Sequence, residues 1–151
     1  MNILVSGGSG FIGSNFIKYF FSKFNNFKII NIDKLSHSCE VDNLKEFKNS
    51  DQYEFIKGDF SNSELVNNIL NIYNPNYVIN FAAESHVDKS ILFPEEFIQT
   101  NILGTFNFLC SINNYFQNLK DSYKKEFKFV HISTDEVYGS LSSSAEPFGE
   151  D

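Results

Sequence analysis

A doubly wound α/β domain on a parallel sheet is the fold class this sequence predicts, and three observations predict it. Short apolar runs alternate with longer amphipathic stretches in a β-α-β-α-β-α-β-α-β order, the pattern that puts helices on both faces of a parallel sheet. A glycine cluster, Gly7-Gly8-Ser9-Gly10-Phe11-Ile12-Gly13, stands between the first run and the first amphipathic stretch. The chain has 151 residues, 42% hydrophobic and 21% charged, a length and balance that suit one folded domain with a sizeable core.

The elements follow in order. Residues 2–6 are short, apolar and end at the glycines, which fits a buried strand. From Phe11 to about Phe24 the spacing is helical, with Phe16, Phe20 and Phe24 on one stripe. Residues 27–32 read as a second strand, and the polar connection after them leaves room for a short helix around 42–48. Residues 53–57 alternate as a third strand. Ser61 with Glu64 gives a capping-box signal for a helix to about Tyr73. Residues 77–81 make a fourth strand. Pro94 suits the first turn of a long helix reaching about Asn118, residues 127–132 a fifth strand, and 133–151 a loop. No repeat or low-complexity tract interrupts the pattern, so residues 1–151 read as one domain.

Charge excludes some partners. The chain has twelve lysines and no arginine against 19 acidic residues, for a net charge of −7. A nucleic-acid binder carries a basic face, so no nucleic-acid partner is expected. No apolar run approaches the roughly 20 residues that cross a bilayer, and no signal-like segment opens the chain; no membrane partner and a cytoplasmic location are expected. Cys39 and Cys110 have no metal or redox spacing and read as reduced thiols. The eighteen phenylalanines read as compositional bias of the source genome.

Four segments carry chemistry. The glycine cluster follows a strand and opens a helix: Gly7, Gly10 and Gly13 allow a tight turn, close approach of a pyrophosphate and close helix–sheet packing, and the helix N-terminus offers free N–H groups. Asp33 lies twenty residues after Gly13, at the end of the second strand, where a carboxylate binds adenosine ribose hydroxyls and repels a 2′-phosphate. NAD is therefore the expected cofactor, favoured over NADP. Gly58-Asp59, after the third strand, fits either a residue beside the adenine or a helix-capping turn. Asn80 to Asp88 follows the fourth strand at the topological switch point, where ligands bind in open sheets. There Ala82 and Ala83 let a cofactor lie against the backbone, Ser85 can hydrogen-bond a ligand, and His86 and Asp88 read either as structural hydrogen-bonders or as chemical groups. No second histidine supports a metal. Ser133-Thr134-Asp135-Glu136-Val137-Tyr138-Gly139 follows the fifth strand at the same sheet edge. It reads as an acid–base constellation, in which crowding separates two carboxyl pKa values, or as a solvated acidic turn; Tyr138 reads as packing.

Asn-Phe-Ala-Ala-Glu-Ser-His-Val-Asp-Lys-Ser at 80–90, Thr-Asn-Ile-Leu-Gly-Thr at 100–105 and His-Ile-Ser-Thr-Asp-Glu-Val-Tyr-Gly at 131–139 together resemble the extended short-chain dehydrogenase/reductase family. The likeness covers essentially the whole chain, and Thr-Asp-Glu points to its sugar-nucleotide 4,6-dehydratases. The resemblance implies a Rossmann-type doubly wound sheet, the NAD-binding half of such an enzyme, and a lyase reaction in three stages: oxidation at C4 of the sugar, loss of water across C5–C6, and reduction at C6. It implies dTDP-glucose as substrate, with UDP-glucose, or another sugar nucleotide of a family epimerase or dehydratase, as the alternative. By analogy Glu136 removes the C5 proton, Asp135 protonates the departing C6 hydroxyl and Thr134 hydrogen-bonds near O4. Gly7, Gly10, Phe11, Ile12 and Gly13, then Asp33, Lys34, Leu35 and Ser36, then Asp59 and Phe60, the run Phe81, Ala82, Ala83, Glu84 and Ser85, and Thr100 would line the NAD site. Ser85 would also touch the sugar nucleotide. The family's C4 base is the tyrosine of a Tyr-x-x-x-Lys pair placed shortly after a Phe-x-Glu-Asp stretch. This sequence ends at Phe148-Gly149-Glu150-Asp151, and no such pair is expected anywhere in it. It is expected to be an N-terminal fragment without the C-terminal sugar-nucleotide domain, inactive alone and a homodimer at full length. Phe97, Ile98, Phe106, Phe108 and Phe116 on the long helix, which joins a dimer bundle in the family, are then expected to leave apolar surface exposed. Ser36-His37-Ser38-Cys39-Glu40 departs from the family's usual loop, which puts NAD contacts there in question. The reading of another class is a non-catalytic NAD-binding module.

Overall fold

Five parallel strands form one sheet in the order β3-β2-β1-β4-β5: β1 (Asn2–Ser6), β2 (Lys28–Asp33), β3 (Tyr53–Lys57), β4 (Tyr77–Asn80) and β5 (Lys128–His131). The computed structural model describes residues 1–36 and 41–150. In register, Ser6 of β1 stands between Ile32 and Asn80, and Asn80 stands beside His131. The carboxyl ends of β2, β1, β4 and β5 therefore share one edge. The chain leaves β1 toward β2 and later returns to β1's other side with β4, which makes the β1/β4 boundary the switch point.

Helices cover both faces, as the alternation predicts. On one face, Leu4, Ile30, Ile32 and Val78 pack with Val66, Ile69 and Leu70 of α2 (Ser63–Tyr73) and with Phe108 and Ile112 of α5 (Thr105–Asn118). On the other, Ile3, Val5 and Ile29 pack with Ile17 of α1 (Phe11–Lys23) and Leu44 of a short helical segment, Val41–Phe47. β1 to β4 each feed both cores because successive side chains point to opposite faces, whereas β5 contributes only Phe129 to the first.

Several expected details shift. On α1 the one large apolar side chain that is buried is Ile17; Phe16 and Phe20 are half-buried, and Phe24 is an exposed C-cap. The cap of α2 is Asn62, whose Oδ1 accepts the Leu65 N–H at 3.1 Å, so the Ser61–Glu64 capping box is not used. The long helical run does begin at Pro94 and end at Asn118, but in three parts: α4 (Pro94–Phe97), a π-helical stretch Ile98–Gly104, and α5. Two short helices went unread in the sequence, α3 (Val87–Leu92) and α6 (Asp121–Lys124). Among the described residues no helix is long and apolar enough to cross a membrane.

Candidate dinucleotide crevice

The carboxyl edge of the sheet opens into a crevice of about 440 Å³ at the switch point, within the size range of small-molecule sites. Its floor is the turn from β1 into α1. Gly7 has φ +73°, and a Cβ there would come 2.6 Å from the Ala82 nitrogen, so only glycine lets the β1 turn and the β4 loop lie together. Gly13 meets the Gly7 carbonyl and Gly8, which lets the first turn of α1 sit directly on the turn. Gly10 is the N-cap and supplies no capping side chain. The first N–H groups of α1 therefore lack an intrahelical or side-chain partner at a wall formed by Phe11, Ile12 and Gly13, which is the arrangement that receives a phosphate.

Buried polar side chains hold this turn from behind. Asn31 of β2 accepts the Gly8 N–H at 3.0 Å and donates from Nδ2 to Ser9 Oγ at 3.2 Å and to the Tyr53 hydroxyl at 3.0 Å. Burial pushes the Tyr53 phenol up, the Asn31 hydrogen bond opposes this, and the Asp33 charge adds to the rise. Asp33 is buried; its Oδ2 accepts the Ser9 N–H at 2.9 Å and its Oδ1 the Leu35 N–H at 2.8 Å. Beyond β1, Asn80 accepts from Ser6 Oγ and from the Ala82 N–H at 3.1 Å, and its Nδ2 faces His131 Nδ1 at 3.0 Å. Asn31 belongs to no sequence motif read above, and Asn80 opens the 80–90 motif without a role of its own there; an asparagine inside an apolar strand beside the glycine turn is the signal that marks each.

Of the expected cofactor residues, Gly7, Gly10, Phe11, Ile12, Gly13, Asp33, Lys34, Ser36, Phe60, Phe81, Ala82, Ala83, Glu84, Ser85 and Thr100 line this crevice. Phe60 does so while also belonging to the α2/α5 core. Leu35 and Asp59 do not; they line an adjoining cavity of about 820 Å³, which shares Lys34, Ser36, Glu84 and Thr100 with the crevice. One oxygen of Asp59 accepts the Ser61 N–H at 2.8 Å, and the Asp59 carbonyl accepts the Asn62 N–H, so the structure displays the turn reading of Asp59. Ile32, Gly58 and His86 line the crevice in addition. His86 is the N-cap position of α3 but makes no side-chain cap bond. Residues 37–40, including Cys39 and most of the atypical loop, lie outside the described residues; Cys110 is a free, exposed thiol.

Thr134, Asp135 and Glu136 stand on the same sheet edge, on an exposed helical turn (Asp135–Tyr138) just after β5, and do not form part of the crevice wall. The Thr134 hydroxyl, the Glu136 N–H and Asp135 beside it hold the Glu136 carboxyl below its usual range. Tyr138 stacks on Phe148 with ring centroids 5.4 Å apart, the packing role expected of it. Contrary to the expectation that no such pair is present, the Tyr-x-x-x-Lys spacing occurs twice. Tyr19 and Lys23 sit on α1 with the ammonium 5.9 Å over the ring, and Tyr53 and Lys57 are on β3 with the phenol turned to Asn31. Neither pair lines the crevice.

Comparison with known proteins places this geometry among relatives. The model of the family described as GDP-mannose 4,6 dehydratase matches residues 4–151. The dTDP-glucose 4,6-dehydratase of Haemophilus influenzae is 47% identical over 150 residues, which cover 99% of this chain and 44% of that protein. Among solved structures, dTDP-glucose 4,6-dehydratase from Bacillus anthracis in complex with NAD is similar with a TM-score of 0.81 and 37% identity, over 99% of this chain and 42% of that one. The Streptomyces venezuelae dTDP-glucose 4,6-dehydratase with NAD and TYD bound gives a TM-score of 0.81 at 32% identity, over 97% and 43%. The chain thus spans about two fifths of the length of the relatives it matches.

Proposed function

The chain belongs to the GDP-mannose 4,6 dehydratase family, and from that premise we infer that it is the NAD-binding part of a sugar-nucleotide 4,6-dehydratase acting on dTDP-glucose. One observation carries the dinucleotide reading: the glycine turn, the uncapped start of α1 and the buried Asp33 converge on one crevice at the β1/β4 switch point. The residues fit the cofactor. The glycines bring the β1 turn close under the crevice, and the first α1 N–H groups, with the positive end of the helix dipole, would meet a pyrophosphate there. Asp33, whose oxygens accept the Ser9 and Leu35 N–H groups, also lines the crevice, where a carboxylate would receive ribose hydroxyls. Ala82 and Ala83, which line the crevice with small side chains, would let the cofactor lie close to the backbone.

Bound NAD⁺ supplies a hydride acceptor that later returns the hydride. The chain's own residues supply proton chemistry and position. Glu136, held ionised by the Thr134 hydroxyl, takes the C5 proton; Asp135 gives a proton to the departing C6 oxygen; Thr134 and Ser85 hold the sugar. The names of the relatives support this substrate, and the shared sheet edge of the 134–136 turn and the crevice supports the assignment of roles.

Calorimetric titration of the chain with NAD⁺ tests the reading. Saturable binding is expected, and Asp33→Asn should weaken it by about 1–3 kcal/mol, the scale of a lost charge-assisted hydrogen bond. A folded chain that does not bind NAD⁺ overturns the crevice as a dinucleotide site. Unchanged affinity in the variant overturns the ribose assignment alone.

A further inference from the structure

A cation sits directly after Asp33, and the structure shows what occupies it. Lys34 Nζ lies 3.2 Å from Glu84 Oε1 and donates to Thr100 Oγ1 at 3.3 Å. The Glu84 side chain is only 15% exposed, and acidic side chains that far from water are normally paired. Its backbone is fixed too: the Glu84 N–H donates to Asn101 Oδ1, and Asn101 Nδ2 donates to the Glu84 carbonyl, both at 2.9 Å. Thr100 and Asn101 are consecutive and fall within the π-helical stretch, the one irregular part of the 94–118 helical run. Wide turns of this kind often mark functional positions. Here the stretch delivers both residues to the bridge.

The bridge stands where the crevice meets the adjoining cavity, since Lys34, Glu84 and Thr100 line both. Asp33 and Lys34 are consecutive and line the crevice together with Glu84, so a dinucleotide whose adenosine ribose lay at Asp33 would bring its 2′-oxygen toward this ion pair. A phosphate on that oxygen needs a cation, and Lys34 is the lysine nearest in sequence to Asp33. Lys89 lines only the adjoining cavity, whose wall also includes Glu95, Glu96 and Asp59.

We propose that Glu84 is a specificity-determining residue: by engaging Lys34, with Asn101 fixing its backbone, it withholds that cation from a 2′-phosphate and so adds to the preference for an unphosphorylated dinucleotide. Asp33 repels the phosphate; Glu84 removes the group that would otherwise compensate. The inference rests on the dinucleotide reading of the crevice and extends it to a second residue.

The test is the ratio of NADP⁺ to NAD⁺ dissociation constants, measured by calorimetry on the native chain, Glu84→Gln, and Glu84→Gln with Lys34→Gln. Glu84→Gln keeps the side chain's shape and leaves the Asn101 backbone clamp intact. It is expected to narrow the ratio about fivefold, the upper range for one partly exposed ion pair, and removal of Lys34 in that background should restore the native ratio. General loosening of the site would weaken both ligands alike and leave the ratio fixed. An unchanged ratio in Glu84→Gln, or a gain that survives loss of Lys34, overturns the proposal while leaving NAD⁺ binding standing. A native chain that binds neither dinucleotide removes the dinucleotide reading, and this proposal falls with it.

Discussion

Glu136 shows how a residue's neighbours choose its role. It is exposed on the turn after β5, and the Thr134 hydroxyl, its own N–H and Asp135 hold its pKa down against a smaller upward push from desolvation. The side chain therefore stays a carboxylate through the neutral range, the form a base must have to accept the C5 proton. Its titration, followed by carboxyl-carbon NMR, is expected at a pH below the ordinary 4.5. The sign is that of a depressed acid: the favourable interaction is complete above the ordinary value and is lost as pH falls through the lowered one. Thr134→Val should move the midpoint back up, since it removes the largest cause. A midpoint at or above the ordinary value in the native chain would mean that the hydroxyl is not the controlling neighbour.

At the scale of elements, the apolar strands were legible and the polar ties between them were not. The bounds of β1 and β3 match the expected 2–6 and 53–57 because each is a short run bounded by turn-forming residues. The cap of α2 was misplaced by one residue because Ser61 and Asn62 are both good caps in sequence; the Asp59 carboxylate takes the Ser61 N–H into its own turn and leaves Asn62 to cap. At the site, the glycines and Asp33 could be read from spacing. Asn31, Asn80 and Asn101 could not, since their partners lie on other elements: Tyr53 for Asn31, Ser6 and His131 for Asn80, the Glu84 backbone for Asn101. The Tyr53–Asn31 link ties β3 through β2 to the glycine turn, and its contribution can be measured. Tyr53→Phe leaves an Asn31 donor short of one acceptor and should cost about 1–2 kcal/mol at neutral pH. The Tyr53 pKa is raised by burial above the ordinary 10.0. Its neutral form thus contributes fully below that value, and the contribution is lost as pH rises through the folded value. Thermal unfolding from pH 7 upward should show the native chain losing more stability above pH 10 than Tyr53→Phe does, with some alkaline loss remaining because burial raises Tyr115 as well. Parallel curves for the two proteins would remove Tyr53 from the alkaline response.

The molecule as a whole carries two apolar stripes on one helical run, and only one of them is covered. Phe108 and Ile112 face the sheet and α2 and are buried. Ile98, Ile102, Phe106 and Leu109 follow a second line at helical spacing and are exposed, with Phe106 at 62%. Of the five residues expected to be uncovered, Ile98 and Phe106 are exposed, Phe97 and Phe116 are half-buried, and Phe108 is in the core. Periodicity marked the run as helical but could not say which stripe meets the sheet, because both are apolar. Ile91, Leu92 and Phe93 extend the exposed surface toward α3, and β5 presents Val130 and the following Ile132 at the open edge of the sheet. A helix apolar on both sides is one that is normally buried, and a contiguous patch of this kind favours association in water. The net charge of −7 opposes close approach of two copies, and salt screens that repulsion while leaving the apolar attraction in place. Sedimentation should therefore show association that strengthens with protein concentration and with salt. Ile102→Asp with Phe106→Asp should abolish it without lowering the melting temperature, because neither side chain packs in the core. A chain that stays monomeric at high concentration and high salt, and binds no apolar dye, would show that these side chains fold onto their own surface in solution.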